Sequence, residues 1–408
     1  MGRFADLLTR LNPINGYIIN SRGYAVNRAD IMERQSAALD PFNQLQTAEY
    51  SPIIERSPRP GFSMLRDRTV PTGAPVSLVN GELELDGLPE KRGLYTRKRG
   101  RYLPGLIGLP GIRVRIADPS TGRYEYGYGD EFGNRFGLEW DEGEIYTFVE
   151  SAGDRHYRKH RSEWLDPLDG TGPSGVDVDL NGLTLRLPFG WYGGLSIKFD
   201  VAVPDRVNGD RLVTIDRSNA ENLAGGVTIE EPNLPIFAEA DGGIAYIGGR
   251  QYGVYGRYRP EFRTTATNNV TKSDVGTEFE PIVSLRVKDE TRFRGVPVIF
   301  GGAGVLTTEN AEWAIFVDAE LTGASFGDIS NVPPIETALE VDSSATALSG
   351  GYRVYSDNIV GGQGNLSGED NADFPDFNIP SDGKITLAAR ALSGTTTVNG
   401  VLRVLEEN

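Results

Sequence analysis

Cysteine is absent from the 408 residues, and histidine occurs only twice, at His156 and His160. The first absence excludes disulfides, thiolate metal sites and cysteine nucleophiles. Lysine is scarce: seven stand among 41 basic residues, and the rest are arginine. Apolar runs are short, none approaching the roughly 18–20 residues that cross a bilayer as a helix. The opening residues, MGRFADLLTRLNP, hold no apolar stretch followed by a small-residue cleavage site, so no secretory signal is expected. Asp6 stands where a myristoylation motif needs Ser or Thr. The expected product is soluble, made in the cytoplasm and not inserted in a membrane.

Glycine and proline are plentiful, 51 and 24 residues, together about 18% of the chain and above the usual share. Many short strands joined by turns produce that balance, because aromatic and β-branched residues persist along the whole length. The net charge of −16 opposes binding to a phosphate backbone, so nucleic acid is not an expected partner. Two readings account for acidity with little lysine. One is a GC-rich genome; the other is a salt-loving host, in whose brine a Debye length of about 3 Å at 1 M screens self-repulsion.

The pattern along the chain divides it into three. Residues 1–65 have the character of an assembly arm. Phe4, Leu7, Leu8 and Leu11 lie at helical spacing and Pro13 ends that stretch, while a second helical candidate runs over Arg28–Leu39. Pro41, Pro52, Pro58 and Pro60 follow too closely for a strand core. Ile18, Ile19, Phe42, Ile53 and Ile54 suit an arm lying on another subunit better than a solvated tail.

From 66 to 265 the alternation is that of strands: Val76–Leu85, Ile112–Ile116, Arg123–Tyr128, Ile145–Val149, Leu183–Leu187, Leu195–Val203 and Leu212–Ile215. A second β unit follows from 266 to 408, with Ile282–Val287, Val296–Ile299, Trp313–Leu321, Thr337–Val341, Tyr352–Tyr355, Lys384–Ala391 and Thr396–Leu405. The Gly-, Asp- and Pro-rich segment 361–382 reads as a long loop. The fold class is all-β: two consecutive jelly-roll-like sandwiches, the first concanavalin-like, behind an extended and partly helical N-terminal arm.

Between Arg161 and Asp200 a turn-dense linker on Pro167, Gly170, Gly172, Pro173 and Gly175 leads into strands joined through Gly182 and closed by Phe189, Trp191 and Tyr192. With RYLPG at Arg101–Gly105, EWLDPLDGTGPSG at Glu163–Gly175, the Trp191-Tyr192-Gly193 turn, PNLPI at Pro232–Ile236 and GGRQY at Gly248–Tyr252, this stretch resembles the β-sandwich modules of structural proteins of tailed viruses, phage or haloarchaeal. In the C-terminal unit the strand holding Trp313, the turn at Thr346–Gly351 and the ending Val398–Glu407 extend the likeness. Proteins of that type serve as tail fibres, tail-associated parts or head decorations, so the resemblance implies a place in a particle. It carries over no functional residue.

Each candidate for chemistry has a plainer alternative. His156 and His160 stand four apart in HYRKH, a spacing that holds a metal on a helix. Arg155, Arg158, Lys159 and Arg161 repel a cation there, and a solvated basic loop accounts for the stretch better. Asp177, Asp179, Asn181 and Gly182 open like a calcium loop, but Pro188 occupies the twelfth position, and a turn at Asn181-Gly182 explains the pattern. Glu369, Asp370, Asp373 and Asp376 form an acidic loop that suits a cation or simple solvation. GASFG at Gly323–Gly327 has the spacing of a nucleophile elbow; Asn331, Pro333 and Pro334 follow where a helix is needed, and both histidines lie upstream, so a turn is expected. GGAG at Gly301–Gly304 lacks the lysine of a phosphate loop and reads as a tight turn.

The basic cluster Lys91–Arg101 is expected to pair with a carboxylate-rich neighbouring subunit, with nucleic acid as the lesser alternative. Tyr246, Tyr252, Tyr255 and Tyr258 divide between core and subunit contact, or stack on sugars. No catalytic, cofactor-binding or metal residue is assigned, no cofactor is expected, and the chain is not expected to be an enzyme.

The expected function is a surface-displayed virion protein: a tail-fibre, baseplate or spike component for host attachment. Capsid decoration or a vertex turret is one alternative, and a virion polysaccharide-degrading enzyme the other. Expected partners are further copies of the chain (a trimer first, a pentamer second), other virion proteins through the arm, and a host surface glycan or protein.

Overall fold

The computed structural model describes residues 50–407 except 104, 191–195, 206–208, 219–228, 230–231, 257–261, 291–292, 294–295, 297, 331, 362–363, 368–377 and 380–382. Before residue 50 it describes four short strands: Tyr17–Ile19 paired with Ala25–Asn27, and Ala38–Leu39 paired with Leu45–Gln46. The helix expected at Phe4–Leu11 lies outside the described residues, as does most of the one expected at Arg28–Leu39. The last two residues of the latter are strand.

Among the described residues no α-helix occurs, and the sheets are antiparallel. In the first sandwich, a seven-stranded sheet runs in the order Asp154–His160, Glu144–Ser151, Arg135–Asp141, Arg123–Gly129, Ile236–Asp241, Arg92–Thr96 and Asp67–Val70. Strands adjacent in the sheet but distant in sequence, such as Arg123–Gly129 beside Ile236–Asp241, give the crossovers of a jelly roll. A nine-stranded sheet faces it, centred on Ile107–Ile116 paired with Ile244–Tyr255.

Alternation decides which side chains are enclosed. In Arg123–Gly129, Tyr124, Tyr126 and Tyr128 turn inward and are buried, with Phe136, Leu138 and Trp140 beside them from the next strand. Ile112, Val114, Leu185, Phe199, Val201 and Val254 meet them from the other sheet. Burying each such side chain contributes about 1.5–3 kcal/mol. Tyr128 stacks on Tyr252 across the sandwich at 5.3 Å, and Phe189 sits 5.4 Å from both Tyr128 and Phe136. The aromatic cluster expected around Phe189 therefore reaches the core through Phe189; Trp191 and Tyr192 lie outside the described residues.

Several strands lie where the alternation places them. Val76–Leu85 is a hairpin of Ser77–Val79 with Glu82–Asp86, turning on Asn80 and Gly81 with φ of 51° and 82°. Lys384–Ala391 keeps its expected bounds. Trp313–Leu321 is divided: Ala311–Val317 ends at Asp318, whose φ is 56°, before Glu320–Thr322 begins.

Three local expectations are overturned. The segment 361–382, expected as a loop throughout, holds the strands Gly364–Ser367 and Asn378–Ile379, both paired with Val298–Thr307. Proline was expected to exclude a strand near residue 52, yet Tyr50–Arg56 pairs with Ile244–Tyr255, and Ile54 is fully buried in the first core. Pro52 is accommodated at a register shift, where a ladder donor is not needed. GGAG lies inside the strand Val298–Thr307 instead of forming a turn, with a register shift between Phe300 and Gly302.

The second sandwich has its own core, in which Trp313, Ile315, Leu285, Leu387, Val404 and Leu402 are buried. One sheet centres on Thr396–Glu407, flanked by Val298–Thr307 on one side and by Phe262–Ala266 and Val270–Val275 on the other. The other runs Gly327–Asp328, Leu339–Asp342, Glu280–Val287, Lys384–Ala391, Ala311–Val317 and Tyr352–Ile359.

Candidate functional site

The outward face of the seven-stranded sheet is ionic. Glu125 stands directly across from Glu139 on one side and Glu239 on the other, and all three are buried. Like charges directly opposed are destabilising unless neutralised. Arg135 supplies bonds to Glu125 and Glu239 at 2.9 Å and to Glu150 at 3.0 Å. Arg155 lies over Phe148 and reaches Glu125, Glu139 and Glu150 at 2.7–2.9 Å. Burial pushes the Glu125 carboxyl up, but Arg135, Arg155 and Arg123 outweigh it and hold the group below its ordinary value.

Gly127 and Gly137 face each other beneath this layer, where a Cβ on either would meet the opposite strand's carbonyl oxygen at 2.2 or 2.0 Å. Phe237 and Phe148, on the flanking strands, register with those glycines and are fully buried. The face is a structural layer, its carboxylates paired with guanidinium groups.

HYRKH contributes to both faces of this sheet, Arg158 to the ionic layer and Tyr157 and Lys159 to the side that meets the other sheet. Asp154–His160 is an edge strand, not the solvated loop expected. His160 bonds Glu144 and Ser162, Lys159 pairs with buried Asp216 at 2.9 Å, and Arg158 pairs with Glu139. Thr147 and Tyr157 each donate to Asp216 at 2.7 Å. Four residues apart on a strand is about 13 Å, so His156 and His160 do not form a helical metal pair.

The other candidates resolve locally. Asp179 accepts the Asn181 N–H at 3.0 Å, and the strand Gly182–Arg186 begins directly after. The carboxylates Glu369, Asp370, Asp373 and Asp376 lie outside the described residues. GASFG is a turn held by Ser325 donating to Asp342 at 2.8 Å. Tyr252 is core, Tyr246 lies under Arg115 at 3.9 Å, Tyr255 meets Tyr50 edge-on, and Tyr258 is outside the described residues. Among the described residues no group of three or more His, Asp or Glu is placed to hold a metal ion.

The basic cluster Lys91–Arg101 finds its carboxylates within its own chain, which corrects the expectation of a neighbouring subunit. Lys91 pairs with Glu239 at 2.9 Å and Arg99 lies 3.6 Å from Asp130. Arg97 pairs with Asp318 and Arg101 approaches Glu407 at 3.4 Å, so both reach into the second sandwich. Tyr252 fixes the base of this clamp by donating from the first core to the Arg101 carbonyl at 2.8 Å.

Beside the clamp lies a cleft of about 520 Å³ lined by both sandwiches. The first contributes Arg68, Arg99 and the turn residues Glu131 and Phe132; Phe132 is 49% exposed. The second contributes Arg286, Val287, Asp289, Phe326 of GASFG, Gly383 and Lys384. Arg68 pairs with Glu131, and Arg286 pairs with Glu340 at 2.7 Å while lying over Phe326. Burial pushes Asp130 up more than Arg99 draws it down; burial also pushes Glu131 up, but Arg68 outweighs it. Sequence patterning did not mark this cleft, because its walls come from segments up to about 300 residues apart. Phe326 stands out in the sequence only as part of GASFG.

No protein family matches the chain, and no curated protein matches it. Solved structures with some similarity include the CBM2 module of the evolved Dit of Lactobacillus casei BL23 phage J-1, at 8% identity and a TM-score of 0.31, covering 52% of this chain and 100% of that one. A legume lectin-like domain from Entamoeba histolytica gives 13% identity and a TM-score of 0.29, over 47% of this chain and 91% of that one. The lectin of Bauhinia forficata, solved with GalNAc, gives 11% identity and a TM-score of 0.27, over 50% and 99%.

Proposed function

We propose that this chain is a virion structural protein displayed on the particle surface, serving as a tail-fibre, baseplate or spike component that contributes to host attachment. Residues 1–49 dock it among neighbouring virion proteins, and the two sandwiches, the first of which takes in Tyr50–Arg56, form the displayed body. It assembles as a homo-oligomer, a trimer before a pentamer, and acts by binding without a covalent step. Many weak contacts multiplied by copy number then supply attachment.

The observation that supports this reading is the composite cleft. Two sandwiches, each with its own core, meet through ion pairs and leave between them a concave surface with exposed cations and phenyl rings. Clefts between domains are favoured places for ligands. The carboxylates of the ionic sheet face are consumed by arginine, which suits a rigid support better than acid–base chemistry.

Gold-labelled antibody against the chain, applied to purified particles, tests the reading. Regular surface labelling, lost when residues 1–49 are deleted, is expected. Unlabelled particles, or release of oligosaccharide from host glycans by the purified chain, would overturn it.

A further inference from the structure

We infer that the cleft between the two sandwiches binds an acidic sugar: a pyranose ring carrying a carboxylate or sulfate, within a surface polysaccharide. This rests on the display reading and names its ligand class.

Lys384 carries the inference. It opens the strand Lys384–Ala391 on the cleft wall, and its backbone is fixed by two hydrogen bonds with Asp318, at 2.9 and 3.1 Å. Its ammonium has no partner among the described residues, whereas Arg68 and Arg286 nearby are engaged by Glu131 and Glu340. An ammonium held on a fixed strand in a partly enclosed site offers three donors and a compact charge, which an anionic oxygen matches.

The rest of the lining selects a sugar among anions. Phe132, half exposed, offers an apolar ring face that packs on the C–H face of a pyranose, and Phe326, covered on one side by Arg286, adds apolar wall. The chain's net charge of −16 opposes a polyphosphate such as nucleic acid. The cleft's 520 Å³ falls within the range of about 300–1,000 Å³ usual for small-ligand sites.

The test is calorimetric titration of the full chain with three probes: oligogalacturonate, a sulfated dextran oligosaccharide and neutral dextran of equal length. Saturable binding of either acidic probe, weakened by added salt, is expected, and the stronger of the two identifies carboxylate or sulfate. Lys384→Met should weaken it about tenfold, while Lys384→Arg retains it. Phe132→Ala, on an exposed turn that leaves the melting temperature unchanged, should also weaken it. The inference falls if neither acidic probe binds, if neutral dextran binds as well as they do, or if Lys384→Met and Phe132→Ala both bind like the unaltered chain. Its failure with particle labelling intact would leave the display reading standing; unlabelled particles would remove that reading whatever the titration gave.

Discussion

Asp318 joins Arg97 of the first sandwich to the backbone of Lys384 in the second: one carboxylate oxygen pairs with the guanidinium, and the other accepts the Lys384 N–H at 3.1 Å. The residue that clamps the two bodies thus also positions the cation in the cleft between them. Asp318 holds a φ of 56° where the strand Ala311–Val317 ends, a conformation that aspartate tolerates better than most residues.

The ionic sheet face predicts a contrast between two arginines. Arg155 is 20% exposed and shared by three buried carboxylates, so Arg155→Met should cost about 3–5 kcal/mol by removing the guanidinium that Glu125, Glu139 and Glu150 have in common. Arg123 touches two of the same carboxylates but is 49% exposed, and Arg123→Met should cost about 0–1 kcal/mol. Urea unfolding of both variants measures the difference; equal costs would mean that the face is solvated.

Tyr128 donates to the Pro232 carbonyl and accepts the buried Leu234 N–H, each at 3.0 Å. Tyr128→Phe leaves that N–H without its acceptor and should destabilise by about 1–3 kcal/mol. The same urea titration checks it, and an unchanged midpoint would show that the loop finds another acceptor.

Asp200 is buried with Thr214 donating to it at 2.7 Å, and burial raises its carboxyl above the usual 3.8. A carboxyl raised in the folded state binds its proton more tightly there than when unfolded. Its contribution is therefore fully present below pH 3.8 and is lost as the pH rises through the folded value. Asp200→Asn should consequently gain stability at pH 7 relative to the unaltered chain, with the gain vanishing towards pH 3 in thermal melts. Glu125 has the opposite sign: its depressed value gives stability at neutral pH that is lost as the pH falls through it.

Much of the fold was legible because period-2 alternation and turn residues are local. Asn80-Gly81 marks its hairpin, and the inward tyrosines of Arg123–Gly129 alternate with Glu125 and Gly127. What escaped is non-local. DRHYRKH has no apolar alternation, since its basic side chains are satisfied by carboxylates on strands that only folding brings alongside. GGAG reads as a turn, yet the chain stays extended there, paired with Thr396–Glu407. The basic cluster announced a need for carboxylates, but not that Asp318, 221 residues after Arg97, would supply one.

The Arg97–Asp318 and Arg101–Glu407 clamp holds the two sandwiches in one arrangement. Because the chain has no cysteine, Glu90→Cys and Ser349→Cys allow one spin label on each sandwich, and pulsed dipolar spectroscopy reads the distance between them. A single narrow distribution is expected, broadening when Arg97→Met and Arg101→Met are combined while each sandwich keeps its circular dichroism. A broad distribution in the unaltered clamp, or no broadening on its removal, would show that these ion pairs do not fix the two sandwiches.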